Sequence, residues 1–114
     1  MHEFSLASEI IELIESSAKE NNATKVLHYH LEVGMASGVL IPALQFALED
    51  LSRGSLLDSA SCEITSVKPE FRCVNCDSSF QDLSLDTLCP VCGQFLELTR
   101  GKELIIKSFE MDQS

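Results

Sequence analysis

The first twenty residues place apolar side chains at the spacing of one helix face. We expect an amphipathic helix over residues 4–20, with Ser5 as its N-cap and Asn21 just beyond its end. Glutamates lie on or beside the opposite face. The apolar positions of this helix are Leu6, Ala7, Ile10, Ile11, Leu13, Ile14 and Ala18.

Residues 25–33 change to the alternation of a half-buried strand. One predicted face carries Leu27, Tyr29, Leu31 and Val33, and the other carries Val26, His28, His30 and Glu32. A His-x-His-x-Glu face could bind a metal ion, but it is also the ordinary pattern of a strand whose wetter face meets solvent. The sequence predicts the strand and leaves metal binding by these side chains open.

A second helix and two more strands follow from the same patterns. The helix has Pro42 in its first turn and ends near Gly54, a typical position for glycine after a helix. Its apolar stripe is Leu40, Leu44, Ala47, Leu48 and Leu51. Strands are expected at 61–67 and at 103–110, the latter with Leu104, Ile106 and Ser108 alternating against Ile105, Lys107 and Phe109. Cys62, alone in its strand, is expected to be a small buried hydrophobe. Together these elements predict an α+β fold in which a small three-stranded sheet packs with two helices.

Residues 70–102 differ in character and hold two Cys-x-x-Cys pairs. Cys73 and Cys76 form the first pair, and Cys89 and Cys92 form the second, with twelve residues between the pairs. Each pair can turn two thiolates toward one ion, and four thiolates suit tetrahedral Zn(II). We therefore expect an inserted zinc ribbon with a closed, structural site. Asp77 and Gly93 stand in equivalent places after the two pairs, where a positive φ is often needed.

Two other uses of the four cysteines remain open at this point. The same soft ligands accept iron, as in rubredoxin. A redox dithiol is the second alternative, although one shared ion explains two pairs better.

Composition and charge exclude several function classes. The formal net charge is −10, and residues 70–103 carry three basic against six acidic side chains, which is the wrong sign for nucleic acid or an anionic membrane. No apolar run is long enough to span a bilayer, and no signal peptide is recognisable, so we expect a cytoplasmic protein. No phosphate-binding loop or catalytic triad pattern is present, which predicts that the protein is not an enzyme.

The opening Met1-His2-Glu3 offers a different chemistry. A histidine in second place puts the α-amine, its own amide nitrogen and its imidazole next to one another. Nitrogen donors in one plane suit Ni(II) or Cu(II). Glu3 adds a carboxylate one residue on.

The motifs along the chain, taken in order, resemble the HypA/HybF family of hydrogenase maturation factors. The resemblance is carried by the opening Met-His-Glu before an amphipathic helix and by the paired cysteines. Softer matches lie at Leu31-Glu32-Val33-Gly34, Ser37-Gly38-Val39 and Phe46-Ala47-Leu48-Glu49.

This resemblance implies a nickel metallochaperone that delivers Ni(II) to the large subunit of [NiFe]-hydrogenase, and in some organisms to urease maturation, together with a HypB-like GTPase. It implies nickel binding by Met1, His2 and Glu3, and structural zinc at the four cysteines. It also implies a nickel-binding domain over 1–69, completed by 103–114, with a zinc-ribbon domain over 70–102. Some members add a polar side-chain ligand near residue 40, where this chain has Leu40. The alternative is a zinc-ribbon interaction module in which the N-terminus has no nickel role.

Overall fold

The computed structural model describes residues 2–81, 83 and 87–112. Two helices and two three-stranded sheets are present in this part of the chain. The elements are α1 His2–Glu20, β1 Val26–Gly34, α2 Ile41–Leu51, β2 Ser61–Val67, β3 Glu70–Cys73, β4 Ser79–Gln81, β5 Leu96–Arg100 and β6 Leu104–Met111. The predicted α+β class is confirmed. No helix in the described ranges is long and apolar enough to cross a membrane.

The first sheet has the order β2-β1-β6, so β1 is its central strand. β1 pairs with β2 in parallel and with β6 in antiparallel orientation. The crossover between the parallel strands passes through α2, which packs beside α1. The two helices and the inner face of the sheet enclose one apolar core, formed by Ala7, Ile10, Ile11, Ile14, Ala18, Ala23, Val26, Tyr29, Leu31, Val33, Leu44, Ala47, Leu48 and Leu57.

Helix α1 begins at His2, three residues before the predicted N-cap Ser5. The predicted apolar face is buried at Ala7, Ile10, Ile11, Ile14 and Ala18. Leu13, which the spacing predicts on that face, lies outside it and is 63% exposed. At 3.6 residues per turn, Leu13 stands roughly 100° from Ile14, beyond the edge of the buried stripe.

Helix α2 buries Leu44, Ala47 and Leu48, as predicted, but leaves Leu40 66% exposed and Leu51 38% exposed. Pro42 lies in its first turn, as expected. The helix ends at Leu51 with Ser52 as its C-cap, so Gly54, although it adopts φ +79°, lies beyond the C′ position predicted for it. Both exposed leucines are at the ends of the stripe, where the helix leaves the core.

Two register shifts correct the predicted strand faces. Between Val26 and His28 the pairing of β1 with β6 slips, so Val26 is buried and Leu27 is 44% exposed, the reverse of the prediction. A second shift in β6 separates Ile106 from Ser108, and Phe109 consequently packs against the core beside Ile106. Each extra residue in a bulge reverses the alternation beyond it.

The second sheet has the order β4-β3-β5 and is antiparallel. Within its described residues, the buried apolar positions are Phe71, Cys73 and Cys89, while Val74, Val91 and Phe95 are exposed. So small a core cannot by itself stabilise a three-stranded sheet, which leaves a requirement for a cross-link or a metal.

The two sheets meet where β1 ends. The Ala36 N–H donates to the Gly101 carbonyl at 2.8 Å, and the Gly34 N–H donates to the Glu103 carbonyl at 2.9 Å. A Cβ added at Gly34 would lie 2.1 Å from the Gly101 oxygen. The radius of gyration is 17.7 Å, against about 13 Å for a compact domain of this length, so the molecule is elongated.

Replacing Gly34 by alanine should therefore destabilise the protein by about 2–3 kcal/mol, because backbone on both sides of the contact must move. Gly54→Ala is the control. It has open space but keeps a positive φ, and it should cost only about 1 kcal/mol. Urea unfolding followed by fluorescence of Tyr29 measures both, since Tyr29 is the one tyrosine and there is no tryptophan. Equal losses in the two variants would show that the glycine contact is not tight.

Candidate metal centre

The first cysteine pair forms a compact knuckle at the end of β3. The Cys76 N–H points at the Cys73 sulfur at 3.4 Å, and the Asp77 N–H donates to the Cys73 carbonyl at 3.0 Å. Asp77 adopts φ +63°, the left-handed conformation expected of it. Its carboxylate accepts a hydrogen bond of 2.9 Å from Arg72, which fastens the outside of the turn.

The second knuckle repeats the first. The Val91 N–H points at the Cys89 sulfur at 3.4 Å, and the Gly93 N–H donates to the Cys89 carbonyl at 2.8 Å. Gly93 adopts φ +77°, as expected. In each knuckle the N–H of the first cysteine donates a hydrogen bond to the carbonyl of the residue five positions on. This residue is Ser78 for Cys73 and Gln94 for Cys89.

The two knuckles face each other and bring all four sulfurs together. The Sγ atoms of Cys73, Cys76, Cys89 and Cys92 lie within 4.8 Å of one another. Cys73 and Cys92 sulfurs are 3.4 Å apart, and Cys76 and Cys89 sulfurs are 3.7 Å apart, both far beyond a disulfide bond. Four ligands about 2.3 Å from a tetrahedral zinc ion would stand about 3.8 Å apart. The cluster therefore fits a metal ion such as zinc.

Hydrogen bonds favour the thiolate form of two of the four cysteines, which is the form that binds a cation. The hydroxyl and backbone N–H of Ser78 lower the pKa of the Cys76 thiol to about 6, and the Gln94 N–H lowers the pKa of Cys92. The Cys76 N–H also favours a Cys73 thiolate, but burial and the adjoining thiols outweigh it and raise that pKa to about 11. Crowded thiols cannot all ionise alone, whereas a bound divalent cation offsets their charge.

The N-terminal candidate residues sit at the start of α1. His2 is exposed, and Met1 lies outside the described residues. The first four N–H groups of a helix have no acceptor within it, so the amide nitrogens of His2 and Glu3 are not used by α1. An exposed imidazole and amide nitrogens without helical acceptors thus lie together.

Glu3 anchors this helix end to the segment before α2. Its carboxylate accepts a hydrogen bond of 3.2 Å from the Leu40 N–H, and this bond is the main cause that lowers the Glu3 pKa. Phe4 and Phe46 pack edge to face nearby, with ring centroids 6.1 Å apart. The segment near residue 40 thus contributes a backbone donor to Glu3, while the Leu40 side chain offers no ligand atom.

On the polar face of β1, the carboxylate near the two histidines is not the predicted Glu32. His28 and His30 lie on the outer face as expected, but Glu32 lies 3.4 Å from the Lys107 ammonium. The carboxylate that faces both imidazoles is Glu63, from the neighbouring strand β2. Sequence spacing could not find Glu63, because its position depends on the pairing of two distant strands.

Cys62 lies apart from the four clustered cysteines and is exposed, contrary to its prediction. It borders an open cleft of about 370 Å³ between the sheet and α2, next to Tyr29 and Ser52. Cys62 is exposed overall, but its thiol is partly desolvated beside Tyr29. Desolvation raises the pKa values of both the Tyr29 hydroxyl and the Cys62 thiol, so both groups stay protonated near neutrality.

Known proteins match the chain over nearly its whole length. The family model described as "HypA: Hydrogenase/urease nickel incorporation, metallochaperone, hypA" matches residues 1–111. The hydrogenase maturation factor HypA of Parabacteroides distasonis is 39% identical over 109 residues, with 95% of each chain covered. That of Azotobacter vinelandii is 34% identical over 113 residues, covering 98% of this chain and 100% of the relative.

Two solved structures share the fold. The solution structure of the Ni metallochaperone HypA from Helicobacter pylori has a TM-score of 0.70 at 29% identity, with 98% of each chain covered. A second solution structure, of HypA protein, has a TM-score of 0.77 at 30% identity and covers 100% of this chain and 98% of the other.

Loss of one clustered sulfur should remove the metal and unfold the second sheet. For Cys73→Ser we expect metal affinity to fall at least about 100-fold, since losing even a residue that only supports a ligand costs 10–100-fold. Amide signals of β3–β5 should lose their dispersion while the Tyr29 environment persists. Cys62→Ser, outside the cluster, is the matched control and should keep full metal content. Metal analysis and amide NMR provide the measurements, and unchanged metal content in Cys73→Ser would contradict the assignment.

Proposed function

This chain belongs to the HypA family of hydrogenase maturation metallochaperones, and on that premise we propose that it binds Ni(II) at its N-terminus and delivers it to the large subunit of a [NiFe]-hydrogenase. The observation that carries the proposal is the exposed His2 imidazole at the first described residue of α1, beside helix N–H groups without helical acceptors. A nickel carrier needs these donors to be reachable.

The proposed ligands are the Met1 amine, the His2 imidazole and the backbone nitrogens of His2 and Glu3. Neighbouring donors along one backbone close small chelate rings and hold the ion near-planar, which Ni(II) accepts and Zn(II) does not favour. Because the Glu3 carboxylate is held by the Leu40 N–H, we propose that it orients the helix end and adds negative charge near the ion.

Delivery from this site is an exchange of metal ligands, and no covalent bond of a substrate is made or broken. Exposure of His2 lets a recipient protein approach the ion and replace the donors one at a time. The positive end of the α1 dipole disfavours a bound cation, which limits how tightly the ion is held. The negative charge of Glu3 partly offsets this field.

The four cysteines are proposed to hold Zn(2+) as a structural ion. Zinc would replace the missing core of the second sheet, and a closed tetrathiolate leaves no position for catalysis. We propose the corresponding division into a nickel-binding domain, 1–69 completed by 103–114, and a zinc-ribbon domain, 70–102.

The proposed partners are a HypB-like GTPase and the hydrogenase large-subunit precursor, with urease maturation proteins in organisms that have urease. The net charge of −10 favours basic partner surfaces over nucleic acid, and we propose a cytoplasmic location. Family membership already implies hydrogenase-related partners.

Replacing His2 by glutamine should remove the tight nickel site. Because glutamine in second place is bulky, Met1 is not cleaved off after synthesis. The α-amine therefore stays in place and only the imidazole is lost. We expect nickel affinity to fall at least about 100-fold, with zinc content and Tyr29 fluorescence unchanged. His28→Asn, which removes a different imidazole, is the matched control and should keep tight binding. Calorimetric titration of protein with an untagged N-terminus is the measurement, and tight binding by His2→Gln would refute the assignment.

Nickel affinity should also fall as the pH is lowered. Metal ligands must lose their protons, and an imidazole ordinarily binds its proton near pH 6.5 and an α-amine near pH 7.7–8.0. The Glu3 pKa is lowered by the Leu40 N–H, so this carboxylate stays ionised and does not cause the decline. We expect at least about a tenfold loss per pH unit below pH 7.5, as one or more protons compete with each ion. A flat profile across this range in nickel titrations would exclude the proposed nitrogen ligands.

A further inference from the structure

The outer face of the first sheet, opposite the helices, carries two histidines and a carboxylate in adjacent positions. His28 and His30 are two apart on β1 and so point to the same side of the sheet. Glu63 of β2 is the register partner of His30. Two strands distant in sequence thus place three metal-ligating side chains on one surface.

The Glu63 carboxylate lies near both imidazoles, at distances somewhat longer than those between two ligands of one ion. The Glu63 Oε1 atom lies 3.6 Å from His28 Nε2, and its Oε2 atom lies 3.8 Å from His30 Nε2. Ligand atoms about 2.0–2.1 Å from a tetrahedral ion stand about 3.3 Å apart. Binding of one ion would therefore require side-chain rotations that bring both Nε2 atoms and a carboxylate oxygen of Glu63 closer together.

We propose that His28, His30 and Glu63 bind a divalent transition-metal ion such as Zn(II) on the open face of the sheet. Two imidazoles and one carboxylate are a typical ligand set for such ions. Three protein ligands leave a further position for water, so the site is exchangeable, unlike the closed cysteine cluster.

A hydroxyl supports the first histidine in the required form. His28 Nδ1 lies 2.7 Å from the Ser61 hydroxyl oxygen. When Nδ1 carries the proton and donates to Ser61, the Nε2 lone pair faces Glu63 and is available to a metal ion. A hydrogen bond of this kind fixes the ring of a metal-binding histidine.

The second histidine must give up a partner to bind metal. His30 Nε2 lies 2.7 Å from the Thr65 hydroxyl oxygen, on the side chain two residues beyond Glu63. This bond competes with the ion for the same nitrogen. We therefore expect binding that is weaker than at the cysteine cluster, and stronger once Thr65 is replaced by valine.

Charge on this face distinguishes Glu63 from the two other nearby carboxylates. Glu32 is paired with Lys107 at 3.4 Å, which offsets its charge and holds it away from the imidazoles. Glu110 is the β6 register partner of His28 and adds a negative charge at the rim. Glu63 is thus the carboxylate that can complete the set.

This inference does not rest on the proposed nickel function. The N-terminal donors are nitrogens suited to near-planar Ni(II), whereas imidazoles with a carboxylate suit tetrahedral Zn(II). Loss of one site should leave the other unchanged, so the two proposals fail separately.

The test uses the full chain with His2→Gln, already loaded with one zinc per molecule, and adds further Zn(II). Only the imidazoles of His28 and His30 then remain, because the chain has three histidines. Their side-chain nitrogen NMR signals should shift together and saturate at one added equivalent. Glu63→Gln should weaken this binding at least about tenfold, and Thr65→Val should strengthen it.

Glu32→Gln is the matched control on the same face and should change the affinity less than about threefold, since its partner is Lys107. Tyr29 fluorescence verifies that each variant is folded. The proposal is overturned if the two imidazole signals do not move with several equivalents of Zn(II). It is equally overturned if Glu63→Gln binds as well as its parent.

Discussion

Burial of the inner face of β1 beneath α1 and α2 is the interaction on which the rest of the molecule depends. Tyr29, Leu31 and Val33 on this face are at most 2% exposed. Because β1 is central, its position also sets the register of β2 and β6 and the point at which Gly34 meets Gly101. The same packing holds α1 in place and so directs His2 outward. The core beneath the first sheet therefore positions the candidate metal-binding side chains at the start of α1 and on the outer face of β1. It also fixes the junction between the two sheets.

The two main candidate sites differ in how they hold an ion, and the difference follows from their surroundings. The four thiols are gathered by two tight turns whose backbone N–H groups point at sulfur, and Cys73 and Cys89 are buried. An ion held by all four thiolates could leave only after several of them had released it. The donors at His2 lie along one exposed stretch of backbone, where an incoming protein can replace them singly. Under the proposed function, the first kind of site maintains the fold and the second releases the cargo.

Residue patterns predicted the parts of the fold that are local, and missed those that depend on pairing. Helical spacing found the buried face of α1, and the paired cysteines predicted two knuckles down to the positive φ of Asp77 and Gly93. The bulges at Leu27 and Lys107 could not be predicted, because the residue pattern of one strand does not show where its pairing with another strand shifts by one residue. Glu63 was missed for the same reason. Its neighbour His30 is 33 residues away, and only the parallel pairing of β1 with β2 brings them together.

The bond between Glu3 and the Leu40 N–H links the helix end to the segment that precedes α2, and it has a consequence for nickel transfer. An apolar residue at position 40 supplies no side-chain donor, so that segment acts through its backbone. If Glu3 turned to bind the ion, the Leu40 N–H would lose this acceptor, and the start of α1 would lose its link to the segment before α2. Loss of this link opposes recruitment of the Glu3 carboxylate as a ligand. Under the proposed function, the ion would then be held by nitrogen donors alone at an exposed helix end, where a recipient protein could replace them.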